Sequence, residues 1–97
     1  ELKARHDGTS SKLSEGIYND EFHVFSIEWD ETQIKWLRDD VVFNTIDITS
    51  AYLSEFNQPF WFIFNIAVGG SWPGSPNIST VFPQYMLVDY IRVFQPN

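Results

Sequence analysis

A nine-residue apolar run at positions 60–68 is the feature that most limits what this chain can fold into. Side chains of a strand alternate between two faces, and five large apolar residues of the run share one face: Phe60, Phe62, Phe64, Ile66 and Val68. That face is typical of a sandwich core. The opposite face is also mostly apolar, but it carries the amide of Asn65.

Asn65 and the loop that follows it suggest contact with a sugar. The run breaks at Gly69-Gly70 and leads to Trp72 in a loop rich in proline and glycine. An amide can bond sugar hydroxyls, and an indole can stack on the C–H face of a pyranose. The alternatives are that Asn65 only satisfies a neighbouring backbone group and that Trp72 only anchors its loop.

The composition of the chain limits its domain number and the kinds of molecule that it can bind. The chain has 97 residues and therefore at most one domain. Its net charge of −7 argues against nucleic acid and anionic membranes, whereas a neutral polysaccharide is compatible with it. The absence of cysteine excludes disulfides and thiolate metal sites.

The hydrophobic pattern predicts an all-β chain with one short helix. The predicted strands span 22–30, 32–38, 41–46, 60–68 and 84–94, the helix spans 49–55, and 69–83 form a loop. Asp39-Asp40 is predicted as a tight hairpin turn in which both residues need positive φ. Thr49 or Ser50 can cap the helix, and Pro59 lies just beyond its end. In the second strand, Ile34 and Trp36 are expected to point inward.

Two of the predicted strands, 22–30 and 60–68, are apolar on both faces. A single sheet would leave one of these apolar faces exposed to solvent. Such a sheet would present an apolar patch larger than soluble monomers carry, and it would have unpaired edges. We therefore expect the chain to be an incomplete fold. A second polypeptide with the upstream half, or a swapped copy, is expected to complete it.

Four motifs in order, at 22–29, 34–36, 65–74 and 88–94, resemble glycoside hydrolase family 16, in particular bacterial laminarinases (endo-1,3-β-glucanases). The resemblance runs from about Lys12 to Gln95. It implies an antiparallel β-jelly roll sandwich of the concanavalin A type with a glucan cleft. Residues 1–97 would then be the C-terminal part of one such domain, and the protein would be secreted or extracellular.

The resemblance also exposes a gap, because the family's catalytic motif, Glu-x-Asp-x-x-Glu, is missing. A retaining glycosidase needs two carboxyl groups about 5–5.5 Å apart. Glu28-x-Asp30 is the nearest pair, but Gln33 stands where the second glutamate would be. The sequence therefore predicts no catalytic residue in this chain, with both glutamates on an upstream strand.

The resemblance gives roles to three other residues. It implies that Asn65 and Trp72 bind the substrate, with Trp72 lining the glycone side of the cleft. It also implies that Asp89 helps to bind a structural calcium ion, for which oxygen ligands are suited. The alternative is that Asp89 is paired with Arg92 or with water. His23, on a strand with apolar neighbours, is expected to be a hydrogen-bonded structural histidine.

These observations predict part of a retaining endo-β-1,3-glucanase that acts on β-1,3-glucan. One alternative is a jelly-roll module that binds β-glucan without cutting it, and another is a structural sandwich domain without a ligand. Separately, Asn77-Ile78-Ser79 fits the N-glycosylation sequon, which matters only in a eukaryotic secretory pathway.

Overall fold

The computed structural model describes residues 8–96, which fall into two units whose boundary along the chain lies between Phe60 and Trp61. The first unit contains a three-stranded antiparallel sheet in the order β1-β2-β3. Its strands are β1 (Phe25–Trp29), β2 (Gln33–Arg38) and β3 (Val41–Asp47), followed by a 3₁₀ helix at Ala51–Asn57. The three predicted strands of this unit are confirmed, although β1 begins three residues later than expected. The jelly roll itself is not formed by the described residues.

β2 lies at the centre of the sheet, where it pairs with β1 on one side and β3 on the other. Ile34 lies opposite Ile46, and Trp36 lies opposite Asn44. The register then shifts, so that Leu37 pairs with Val42 and Phe43 is an extra residue in β3. A bulge of this kind bends a strand and turns its side chains.

The core of the first unit lies between one face of the sheet and the 3₁₀ helix. Ile34, Ile48 and Leu53 are buried there, and Ile48 is only 1% exposed. Trp36 and Ile46 pack against this cluster while remaining partly exposed. The predicted inward direction is therefore confirmed for Ile34, and Trp36 is only partly covered. Each fully buried aliphatic side chain contributes about 1.5–3 kcal/mol to folding.

The predicted helix forms, but it is a 3₁₀ helix shifted by two residues. Ser50 is the cap, since its hydroxyl accepts from the Tyr52 amide at 3.4 Å. Leu53 departs from helical geometry (φ −116°, ψ 16°), which puts a kink in the segment. The helix ends before Pro59, as expected, because a proline disfavours helical backbone angles in the residue that precedes it.

The Asp39-Asp40 turn has the predicted conformation, with φ values of 49° and 66°. The Asp39 side chain also ties the turn to the segment before β1. Its carboxylate accepts from the Val24 amide at 2.9 Å and from His23 Nδ1 at 2.7 Å. The Asp39 amide in turn donates to the Val24 carbonyl at 2.8 Å. This set of bonds closes the end of the sheet where β2 turns into β3.

Two more aspartates hold the other connections of the sheet. Asp30 accepts from the Thr32 amide and hydroxyl, both at 2.7 Å, and shapes the turn between β1 and β2. Asp47 accepts from the Thr49 amide at 2.8 Å and from its hydroxyl at 2.6 Å. Aspartate favours such local turns because its short side chain reaches amides two residues ahead.

The second unit does not contain the strands predicted at 60–68 and 84–94. Within residues 61–96 both segments lack strand pairing, and the hydrogen bonds between backbone groups are confined to two turns. A β-strand is defined by the ladder to its neighbour, and neither segment has that neighbour here. The prediction of two further strands is wrong for this structure.

The turn between β2 and β3 predicts opposite effects for two neighbouring substitutions. Asp40→Gly relieves a left-handed conformation and should stabilise the hairpin by about 0.5–1 kcal/mol, after the greater flexibility of unfolded glycine is subtracted. Asp39→Gly relieves similar strain but removes the carboxylate that binds His23 and Val24, so it should be destabilising. Amide hydrogen exchange in β2 and β3 measures the stability of the hairpin in both variants. Equal protection in the two variants would contradict the role of the Asp39 carboxylate.

The three turn aspartates predict a loss of stability in acid. In the folded chain all three carboxyl groups have a pKa below the ordinary value of 3.8, because each accepts hydrogen bonds. The main donors are Thr32 for Asp30, His23 for Asp39 and the Thr49 hydroxyl for Asp47. A carboxyl group with a lowered folded-state pKa binds more protons when unfolded, so its contribution is complete above pH 3.8 and declines as the pH falls through the folded-state value.

Urea titrations at a series of pH values check this dependence. The unfolding midpoint should fall as the pH drops below 3.8, and Asp47→Asn should make that fall shallower. Glu55→Gln is the control, because Glu55 is exposed and its carboxylate makes no hydrogen bond with any residue in 8–96. A midpoint that does not change in acid would contradict the stabilising role of these carboxylates.

Candidate functional site

The loop after position 68 presents Trp72 to solvent, with 97% of the residue exposed. Gly69, Gly70 and Gly74 have positive φ values of 76°, 128° and 82°. The Gly74 amide donates to the Gly70 carbonyl at 3.0 Å and closes a turn around the indole. Glycine is favoured at these positions because side chains rarely adopt such angles. The glycine-rich sequence therefore holds Trp72 at the tip of a defined turn.

Asn65 lies in the same unit, on the apolar segment before the glycine pair. It is exposed, and its amide makes no hydrogen bond with any residue in 8–96. Both predicted substrate-binding residues are thus exposed, Asn65 with a polar amide and Trp72 with an aromatic indole. No hydrogen bond joins the two side chains within the described residues.

A cavity of about 290 Å³ lies beside this loop, and neither Asn65 nor Trp72 lines it. Its walls are the end of the apolar segment, the glycine and proline turn, and the residues that follow: Ile66, Ala67, Val68, Gly69, Pro73, Gly74, Ser75, Pro76, Thr80, Phe82 and Gln84. Gln84 donates to the Val81 carbonyl at 2.7 Å, which fixes its side-chain amide. Sequence analysis missed Gln84 and Thr80 because nothing in the pattern shows that the loop folds back over the segment.

Asp89 is exposed, and residues 8–96 contain no group of three or more histidine, cysteine or acidic side chains that could hold a metal ion. Calcium takes 6–8 oxygen ligands, and one carboxylate supplies at most two of them. Asp89 would therefore need oxygen donors from elsewhere. Arg92 makes no ion pair with Asp89 in the described structure; its guanidinium lies 4.3 Å from the centre of the Tyr90 ring.

His23 is a structural histidine, as predicted. Its side chain is 6% exposed, and Nδ1 donates to Asp39. Tyr18 packs edge-on against the imidazole, with ring centres 5.4 Å apart. Nε2 is buried and has no partner among the described residues. Within residues 8–96 the imidazole is therefore almost fully buried, packed against Tyr18 and bonded to Asp39.

A second combination of an indole and an amide lies on the sheet of the first unit. Trp36 and Asn44 are cross-strand partners, and together with Gly8, Thr9 and Phe43 they line a groove of about 130 Å³. Sequence analysis missed this groove because it depends on the register of β2 with β3. Glu28 on β1 is a surface residue, and its Oε2 lies 3.8 Å from Lys35 Nζ.

Comparison with known proteins identifies the family. The model of glycosyl hydrolases family 16 matches residues 4–92, which is most of the chain. The chain belongs to glycosyl hydrolase family 16. At the family level it is therefore a glycoside hydrolase sequence, in agreement with the resemblance found in its motifs.

Several curated proteins are similar in sequence to this chain. The chain is 37% identical over 83 residues to a beta-glucanase of Rhodothermus marinus, covering 77% of this chain and 29% of that protein. It is 35% identical over 88 residues to glucan endo-1,3-beta-glucosidase A1 of Niallia circulans, covering 80% and 13%. It is also 32% identical over 77 residues to the clotting factor G alpha subunit of Tachypleus tridentatus, covering 77% and 11%. The chain thus spans less than a third of each of these relatives. No solved structure matches it.

Proposed function

We propose that this chain forms part of a retaining endo-β-1,3-glucanase and supplies part of the wall of its glucan cleft. The family match over residues 4–92 carries the proposal, and two relatives named as a glucanase and a glucan endo-1,3-beta-glucosidase support it. The net charge of −7 is compatible with a neutral polysaccharide.

Trp72 and Asn65 are the proposed glucan contacts. The exposed indole of Trp72 offers a flat face on which the C–H groups of a glucose ring can stack. The amide of Asn65 offers both a donor and an acceptor to sugar hydroxyls. Their chemistry is complementary, because stacking favours the ring and the amide fixes its orientation.

The glutamates that cut the bond would come from outside these 97 residues. In a retaining mechanism one carboxylate attacks the anomeric carbon, and the other group protonates the leaving oxygen and then activates water. The chain lacks the Glu-x-Asp-x-x-Glu motif, so its proposed contribution is to bind and orient the glucan.

A second polypeptide segment, either an upstream half or a swapped copy, is the proposed partner for 60–68 and 84–94. Phe62, Phe64 and Ile66 are exposed, as are Leu87 and Ile91. Burying apolar surface yields about 25 cal/mol per Å². Pairing would also satisfy the backbone groups that now lack a ladder.

Two further features of the resemblance stay proposals. Asp89 is proposed as one ligand of a structural calcium ion whose remaining oxygen donors lie elsewhere. The protein is proposed to be secreted, since its substrate would be an extracellular polysaccharide.

A glucan-binding module without catalysis is the alternative. It would use the same two proposed contacts, because Trp72 and Asn65 bind the glucan without taking part in bond cleavage. An intact pair of glutamates in the partner segment distinguishes the enzyme from the module.

The isolated 97-residue chain should not hydrolyse laminarin, because it lacks the paired glutamates. A reducing-sugar assay measures this, with an active laminarinase as the control. Release of sugar by the chain, abolished by substituting one of its own carboxylates, would contradict the assignment of catalysis to another segment.

Trp72→Ala should weaken glucan binding, since it removes a stacking surface. By analogy with base stacking the cost is roughly 1–3 kcal/mol, or about tenfold to a hundredfold in affinity or in kcat/KM. Asn65→Ala should cost about 0.5–1.5 kcal/mol through one lost hydrogen bond. Affinity electrophoresis in laminarin gels measures both, on the protein that contains this chain and its catalytic strand.

Trp61→Ala is the matched control, because Trp61 is also exposed in this unit but has no proposed glucan contact. The affinity of the Trp61→Ala variant for glucan should be unchanged. If Trp72→Ala lowers the melting temperature and leaves the affinity unchanged, then Trp72 anchors its loop and the proposed contact is wrong.

A further inference from the structure

We propose that Asn77 is an acceptor for N-linked glycosylation and takes an oligosaccharide from a lipid-diphosphate donor when the chain enters a eukaryotic secretory pathway. Asn77-Ile78-Ser79 is the only Asn-x-Ser/Thr sequence in the 97 residues. The residues that follow Asn77 are not proline, which would prevent the local turn. This inference is independent of whether the protein acts on glucan.

The side chain of Asn77 is held with its oxygen inward and its nitrogen free. Oδ1 accepts from the Ser79 amide at 2.8 Å and from the Ser79 hydroxyl at 2.6 Å. Because a backbone N–H can only donate, the atom facing it has to be the oxygen. Nδ2, the atom that would be modified, makes no hydrogen bond with any residue in 8–96.

The surrounding turn is closed by local bonds alone. The Thr80 amide donates to the Asn77 carbonyl at 2.9 Å, and the Asn77 amide donates to the Thr80 hydroxyl at 2.9 Å. Asn77 and Ser79 are exposed, and Ile78 between them is fully exposed. A bulky, hydrated glycan on Nδ2 would therefore displace no buried side chain.

The reaction is a group transfer without oxidation or reduction. Nδ2 attacks C1 of the first sugar, and the N–C1 bond forms as the bond from C1 to the phosphate oxygen breaks. The lipid diphosphate leaves with that electron pair, and one amide proton passes to a base of the transferase. The Ser79 hydroxyl would orient the amide by its bond to Oδ1, so Ser79 acts as a positioning residue.

The test expresses the full chain behind a secretory leader in yeast or insect cells. Wild type should give a discrete slower band that peptide-N-glycosidase removes, and Asn77→Gln and Ser79→Ala should lack it. Ser79→Thr keeps the hydroxyl and should retain the band. Asn19→Gln, at an exposed asparagine in another turn, is the matched control and should also retain it.

Each result bears on the proposal. An unmodified wild-type chain, from cells that glycosylate a control protein, would overturn it, and so would a band that persists in Asn77→Gln. NMR spectra of the glycosylated and enzymatically deglycosylated chains test whether the turn accommodates the glycan. Unchanged backbone amide shifts and exchange at Thr80, whose amide donates to the Asn77 carbonyl, support the proposal, whereas loss of that bond on glycosylation would overturn the claim that the turn is free.

Discussion

The first unit depends on the pairing of β2 on both of its edges. Backbone amides and carbonyls removed from water need partners, and a central strand obtains them from its two neighbours. That pairing places Ile34 against Ile46 and lets both pack toward Ile48 and Leu53. The aspartates at the turns then fix where each strand ends, because their carboxylates bind the amides of the connections.

The second unit shows what happens to apolar segments without such pairing. Its residues include many large apolar side chains, yet those at 61–68 and 84–94 are exposed. An isolated strand cannot satisfy its own backbone, whatever its composition, since its hydrogen bonds run to a neighbour. The same exposure makes these segments suited to pairing with another strand, which is the physical basis of the proposed partner.

The loop of the second unit differs from the segments around it because its geometry comes from short-range bonds. Gly70 and Gly74 close one turn, and Asn77 and Thr80 close the next. Neither turn requires a sheet. Trp72 and Asn77 are therefore displayed by local structure, so the proposed glucan contact and the proposed modification share one loop while relying on different side chains.

The sequence by itself determined the family, the three strands of the first unit and the turns. The positive φ at Asp39 and Asp40, the cap at Ser50 and the exposure of Trp72 follow from residue chemistry that acts over a few positions. The structure alone decided features that depend on distant residues: the register that brings Trp36 to Asn44, and the enclosure of His23 by Tyr18 and Asp39. It also decided that 60–68 and 84–94 are unpaired, because hydrophobic alternation records a preference for a strand while the strand itself exists only when another strand supplies its hydrogen bonds.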